Sequence, residues 1–194
     1  TTGVVTATLA AASLSDLGSL DTASTDVITV TVNDADDAGV TAANLSTLGG
    51  KTAGTVTVTN AVVISGDHDQ LTAALVTAGT KVSAGTATVT VNDADGVAIT
   101  AAELSDIGSS TTGVVTVTNA VAITGTAAEV TAALVTAGSL VVVSDAAVTI
   151  TGNPTITELN NIAAKTTGVV TATLAAASLT ALGSLDTALS LIHI

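Results

Sequence analysis

The densest chemistry in this chain lies in two acidic turns, Asn33-Asp-Ala-Asp-Asp-Ala-Gly39 and Asn92-Asp-Ala-Asp-Gly96. Carboxylates one residue apart and followed by glycine are the pattern of calcium loops, in which a hard cation gathers about six to eight oxygens. Asp34, Asp36, Asp37, Asp93 and Asp95 are therefore the candidate metal ligands, and calcium the one candidate cofactor. The pattern is incomplete as an EF-hand loop, because Ala38 stands where a ligand belongs and no Glu closes the loop. A solvated acidic turn uses the same residues, since Asn, Asp and Gly all favour turns.

Other reactive groups do not assemble into a site. Asp67-His68-Asp69 has acid-base character, but it stands where a helix is expected to start, and the related repeat has Thr126-Ala-Ala128 there. Asp at a helix start caps free amides and favours the dipole, which accounts for the segment without catalysis. Ser and Thr are abundant, yet there is no nucleophile elbow, phosphate loop or Ser/His/Asp set. The sequon Asn44-Leu-Ser46 falls inside an expected helix.

Composition points the same way. The 194 residues include no Cys, Met, Trp, Tyr, Phe or Arg, and only Lys51, Lys81 and Lys165 are basic. Without cysteine there is no disulfide framework and no thiolate zinc site. The net charge of −13 repels nucleic acid and anionic membranes. No apolar run approaches the roughly 18 residues of a membrane-spanning helix, so membrane insertion by this segment is not expected. The reading is of a chain that is not an enzyme.

Two regular sets of polar residues remain. Asn33, Asn60, Asn92 and Asn119 follow equivalent strands and would form an Asn ladder if those strands stack. Thr6/Thr8, Thr29/Thr31, Thr57/Thr59, Thr88/Thr90, Thr116/Thr118 and Thr171/Thr173 alternate with apolar residues. Pairs spaced about 6.6 Å along a strand and about 4.8 Å between strands would make a flat hydroxyl lattice, similar to the Thr-x-Thr arrays of ice-binding solenoids. Thr is also an ordinary residue on the wet face of a strand.

These sets follow from internal repetition. Residues 29–79 match residues 88–138 without a gap at 33 of 51 positions, an offset of 59. Residues 1–23 match 166–188 at 21 of 23 positions. Each 59-residue block divides again, which places unit starts near residues 3, 26, 54, 85, 113, 140 and 168. Within a unit, Val115, Val117, Val121 and Ile123 keep the period of two expected of a strand with one buried face, and Asn119 shares the inward phase. Thr126-Ala-Ala-Glu129 then reads as a capping box, and Gly138 as a left-handed helix stop. Thr100 to Glu103 ending at Gly108, Asp67 to Gln70 ending at Gly79, and Thr155 to Glu158 repeat the pattern.

A unit of about 28 residues buries too few Val, Ile and Leu side chains, at about 1.5–3 kcal/mol each, to offset its own ordering entropy. Neighbours must share strand bonds and a continuous core. Residues 1–188 are therefore expected to form a single repeat array, an α/β solenoid of about seven strand-plus-short-helix units with parallel strands. A pure parallel β-solenoid, with the Ala-rich pieces extended, is the alternative.

Strings such as ITGTAAEVTAAL, VTVNDADG and NLSTLGG resemble the Thr/Ala/Val/Asp/Gly-rich repeats of very large secreted surface proteins of aquatic bacteria, adhesins and haemolysin-type calcium-binding proteins among them. The Gly-Gly-x-Gly-x-Asp calcium nonapeptide is absent. The resemblance implies an extracellular or cell-surface stalk or spacer with adhesive contacts. Its partners would be flanking repeats of the same chain and a surface ligand. The alternative is a ligand-binding solenoid, for calcium through the acidic turns or for ice through the Thr face. Leu189-Ser-Leu-Ile-His-Ile194 continues no repeat and reads as the translation of a transposase-adapter sequence, so the expectation is a sequencing artefact on an environmental fragment, with no function for His193.

Overall fold

The computed structural model describes residues 3–185. Thr1, Thr2, the last residues of the final repeat and the 189–194 tail with His193 lie outside the described residues. The described residues form two compact units, one within residues 1–91 and 110–115, the other within residues 92–109 and 116–194.

In the first unit, β1 (Thr6–Thr8), β2 (Val27–Val32), β4 (Val56–Val58) and β6 (Val82–Ser83) form one parallel sheet in that order. A second parallel sheet holds β3 (Gly39–Thr41), β5 (Val63–Gly66) and β7 (Thr88–Val91). Short helices follow the strands: α1 (Leu14–Leu17), α2 (Ala42–Gly49), and α3 (His68–Leu71), which continues as a π-helical turn over Thr72–Val76. The second unit repeats the scheme. There β9 (Val115–Val117) neighbours β11 (Val141–Val143), and β8 (Ala98–Thr100), β10 (Ala122–Thr126), β12 (Ala147–Thr151) and β13 (Val170–Thr171) form a parallel sheet. Its helices are α4 (Ala101–Ser109), α5 (Ala127–Val130) with a π turn over Thr131–Val135, α6 (Ile156–Ala163) and α7 (Leu179–Leu182). The expected α/β class with parallel strands and short helices is present, and the Ala-rich segments are helical, which overturns the pure β alternative.

The register sets like against like. Ile99, Ile123, Val148 and Val170 occupy one level of a sheet and are at most 2% exposed. Val40, Ile64 and Val89 share a level in the first unit and are at most 5% exposed. Each such side chain removes about 1.5–3 kcal/mol of apolar surface from water, and the gain exists only when the neighbour is in place. Along α2 the buried residues are Ala42, Leu45, Leu48 and Gly49, and along α4 they are Ala101, Leu104, Ile107 and Gly108. That spacing is one apolar helix stripe. Gly49 and Gly108 are glycine because a Cβ there would collide with the carbonyls of Thr80 and Ser139, respectively.

Two local expectations are corrected. The alternating run from Val115 to Ile123 is two strands, not one, because the chain folds back between Asn119 and Val121, whose N–H donates to the Asn119 carbonyl at 2.9 Å. Asn60 and Val62 make the same turn. The period of two survives it, so Val115, Val117, Val121 and Ile123 are all buried although they serve two sheets. Nor do Gly79 and Gly138 stop helices in the left-handed conformation. The helical turns end at Val76 and Val135, where Thr77 and Thr136 go extended, and the left-handed residues are Lys81 at φ 52° and Leu140 at φ 53°. Gly108 lies within α4.

Candidate functional site

The capping boxes are the most local part of the polar architecture. Thr126 and Thr155 each accept a bond from the backbone of the third helical residue, while Glu129 and Glu158 reach back to the cap amide. The Thr100 amide donates to Glu103 at 2.8 Å, and Glu103 N–H returns a bond to the Thr100 hydroxyl at 3.2 Å. The backbone N–H of Thr126, and then its hydroxyl, hold the Glu129 carboxyl below the usual carboxylate range; Thr155 does the same for Glu158. These glutamates cap the starts of their helices.

The acidic turns sit between the strands of successive repeats and face backbone. Asp34 Oδ2 accepts from the Leu14 amide at 2.7 Å, and Asp36 Oδ1 from the Ala61 amide at 2.9 Å. Asp37 adopts φ 61°, and its amide donates to Ala61 O at 3.0 Å. In the second unit Asp95 Oδ1 accepts from the Ala120 amide at 3.0 Å, Gly96 takes the left-handed conformation, and Asp93 is buried at 5% exposure. Each turn thus bonds to the turn of the repeat about 25 residues further on. Among the described residues no three metal-ligating side chains converge.

The asparagines join the same seam. Asn60 Nδ2 donates to Asp34 O at 2.6 Å, and Asn119 Nδ2 to Asp93 O at 2.6 Å. Asn33 and Asn92 stand exposed at the turns that receive those bonds. The amide chemistry therefore runs from side chain to neighbouring backbone in alternate repeats. Asp67 caps α3, accepting from the Gln70 amide at 2.8 Å, and His68 Nε2 lies 3.6 Å from Asp69. Asn44 and Ser46 lie within α2.

The threonine pairs divide between sheets. Thr29, Thr31 and Thr57 lie in the sheet of β1, β2, β4 and β6, where Thr31, Thr57 and Ser83 share a level. Thr88 and Thr90 lie on β7, beside β5, with Thr41, Ser65 and Thr90 at one level. Thr116 is on β9, and Thr59 and Thr118 follow the strand ends. A row of four is formed by Thr100, Thr124, Thr149 and Thr171, of which only Thr171 belongs to the expected pairs, with Thr126 opposite Thr151 one step along.

A further polar device was not anticipated. Thr52, 3% exposed, accepts from the amides of Ile28 and Gly54, both at 2.8 Å, and its hydroxyl faces the Ile28 carbonyl at 2.8 Å. Thr111 and Thr166 do the same work against the carbonyls of Ala87 and Ala146, and receive the amides of Gly113 and Gly168. The glycine is required, since a Cβ at Gly54, Gly113 or Gly168 would penetrate the same carbonyls. The readable signal is a Thr two residues before the glycine that opens a unit.

Among the described residues no helix is long and apolar enough to cross a membrane. No family model, curated protein or solved structure matches the chain.

Proposed function

We propose that this chain is a non-enzymatic structural segment, an α/β solenoid acting as stalk or spacer in a larger secreted or cell-surface repeat protein. The observation that carries the reading is the in-register pairing of repeats about 25 residues apart, with Thr52-, Asp36- and Asn60-type bonds running between neighbouring repeats. Such a device transmits length. Among the described residues no three metal-ligating side chains converge, and any adhesive contact would be weak and multivalent. The test is to insert one further copy of the 59-residue block and measure the maximum dimension by small-angle scattering. Two added repeats should lengthen the particle by about 10 Å, at about 4.8 Å per strand. Growth of a near-spherical particle, with no such extension, would sink the reading.

A second reading rests on the row Thr100, Thr124, Thr149 and Thr171. A level line of hydroxyls at strand spacing favours ordered water and, by the same geometry, an ice surface. Thermal hysteresis is the measurement, and its absence at high protein concentration ends this version.

A further inference from the structure

A cleft of about 250 Å³ lies between α1 and α2 in the first unit. Leu14 and Ser15 line it from one repeat, and Asn44, Thr47, Leu48 and Lys51 from the next. Because α1 has four residues and α2 eight, the second turn of α2, which carries Thr47 and Leu48, has no matching turn in α1. Both walls are repeats already in place. The matching module, residues 166–188, shows where a preceding repeat sits: Asn160 Nδ2 donates at 3.0 Å to the carbonyl of Ser184, the equivalent of Ser19. Lys51 Nζ instead takes the carbonyls on either side of Ser19, those of Gly18 and Leu20, at 2.8 and 2.7 Å. A repeat ahead of residue 3 therefore meets α1 from its other side.

Lys51 is held before any ligand arrives. Its N–H donates to Leu48 O at 3.1 Å, and its carbonyl accepts from Thr22 Oγ1 at 2.7 Å. Two of the three ammonium protons go to Gly18 and Leu20, which leaves one. The one ion-pair contact among the described residues, His68 with Asp69, does not involve it. Asp16, beside Ser15, is turned to its helix start, where Ser13 Oγ donates to it at 2.7 Å. In a chain of 16 carboxylates this cleft is lined by one cation and no acid. Ser15 and Asn44 are exposed, and their side chains have no partner among the described residues. The Thr47 hydroxyl donates to Ala43 O at 2.8 Å and keeps its lone pairs for a donor. Leu14 and Leu48, 6% and 1% exposed, supply the apolar lining.

We propose that this cleft binds a hydroxylated carboxylate the size of one sugar acid, with its carboxylate on Lys51 Nζ and its hydroxyls on Ser15, Asn44 and Thr47. The volume lies below the roughly 300 Å³ at which drug-sized pockets begin, which limits the occupant to a single ring. For about 13 non-hydrogen atoms at ordinary ligand efficiency, the dissociation constant is about millimolar. The following 59-residue block has Ser110 in place of Lys51 and so lacks the ammonium. The site goes beyond the stalk reading and needs only the pairing of α1 with α2.

The test is a backbone-amide chemical-shift titration of the whole chain with sodium glucuronate, glucose or acetate at matched ionic strength. Glucuronate should move the Ser15, Asn44 and Lys51 signals saturably at about millimolar concentration, and glucose and acetate should bind several-fold more weakly. Lys51→Ser, which copies the next block, should abolish the preference for glucuronate over glucose. Asn44→Ala alters an exposed side chain without a bonding partner, so it should weaken glucuronate several-fold at an unchanged melting temperature; it decides the matter if Lys51→Ser fails to fold. An oligoglucuronate that moves the same signals identifies a residue of a polymer as the source, and its exclusion while glucuronate still binds identifies the free sugar acid. No saturable shift with either, equal responses to glucuronate, glucose and acetate, or an Asn44→Ala protein that binds like the parent overturns the proposal.

Discussion

Replacing Thr52 by valine keeps the shape of the side chain and removes one oxygen. That oxygen accepts the Ile28 and Gly54 amides, both at 2.8 Å, in a residue only 3% exposed. A buried donor left without an acceptor costs about 1–3 kcal/mol, so two donors cost about 3 kcal/mol or somewhat more. For a chain of this length about 2–4 °C accompanies each kcal/mol, which puts the expected fall in melting temperature at about 6–12 °C. Calorimetry gives the number, and hydrogen exchange locates it, because the Ile28 amide should lose protection first. Thr52→Ser retains the oxygen and sheds a methyl group, so its loss should stay near about 1 kcal/mol. A valine variant within about 0.5 kcal/mol of the parent, or a serine variant as damaged as valine, would refute the assignment of Thr52 as the clamp between β2 and β4.

Gly168→Ala should destabilise by about 1–3 kcal/mol through overlap with the Asp145 and Ala146 carbonyls, whereas Gly3→Ala in the same local sequence should stay within about 0.5 kcal/mol; equal effects would remove the structural distinction. Carbon-13 titration should find the Glu129 and Glu158 carboxyls half-protonated below the ordinary value of 4.5. Because their folded pKa is depressed, their stabilisation is complete above that ordinary value and is lost as pH falls through the lower folded one; Thr126→Ala should move Glu129 alone back toward it. Calcium at about millimolar concentration should leave the melting temperature unchanged, since Asp34, Asp36 and Asp95 already receive amides; a rise of several degrees would return the acidic turns to ion binding.

What could be read beforehand was whatever is decided within one turn of chain. Thr126 with Glu129, and Thr155 with Glu158, announce a helix start because the partners lie only three residues apart. The division of Val115 to Ile123 into two strands was not legible, because alternation continues through the turn and each apolar residue still points inward. The π turns at Thr72–Val76 and Thr131–Val135 have no compositional mark, and glycine drew attention away from Lys81 and Leu140, which carry the positive φ. The acidic turns invited an ion because their amide partners, Leu14, Ala61 and Ala120, are 20 to 25 residues away. For the Thr52 clamp the letters were visible, but its meaning needed the Ile28 carbonyl in place.

The close approaches of Gly49 to Thr80, and of Gly108 to Ser139, carry a genetic consequence. Each joins a repeat with a regular helix to the end of the following repeat, whose helix closes in a π turn. Deleting or duplicating a single repeat by unequal recombination would set a helix glycine against the wrong partner, or a side chain where only glycine fits. Gain or loss of the 59-residue pair keeps the meetings made by Gly49 and Gly108. The heritable quantum of length is thus the doublet, and lineages of this sequence should differ by multiples of two repeats.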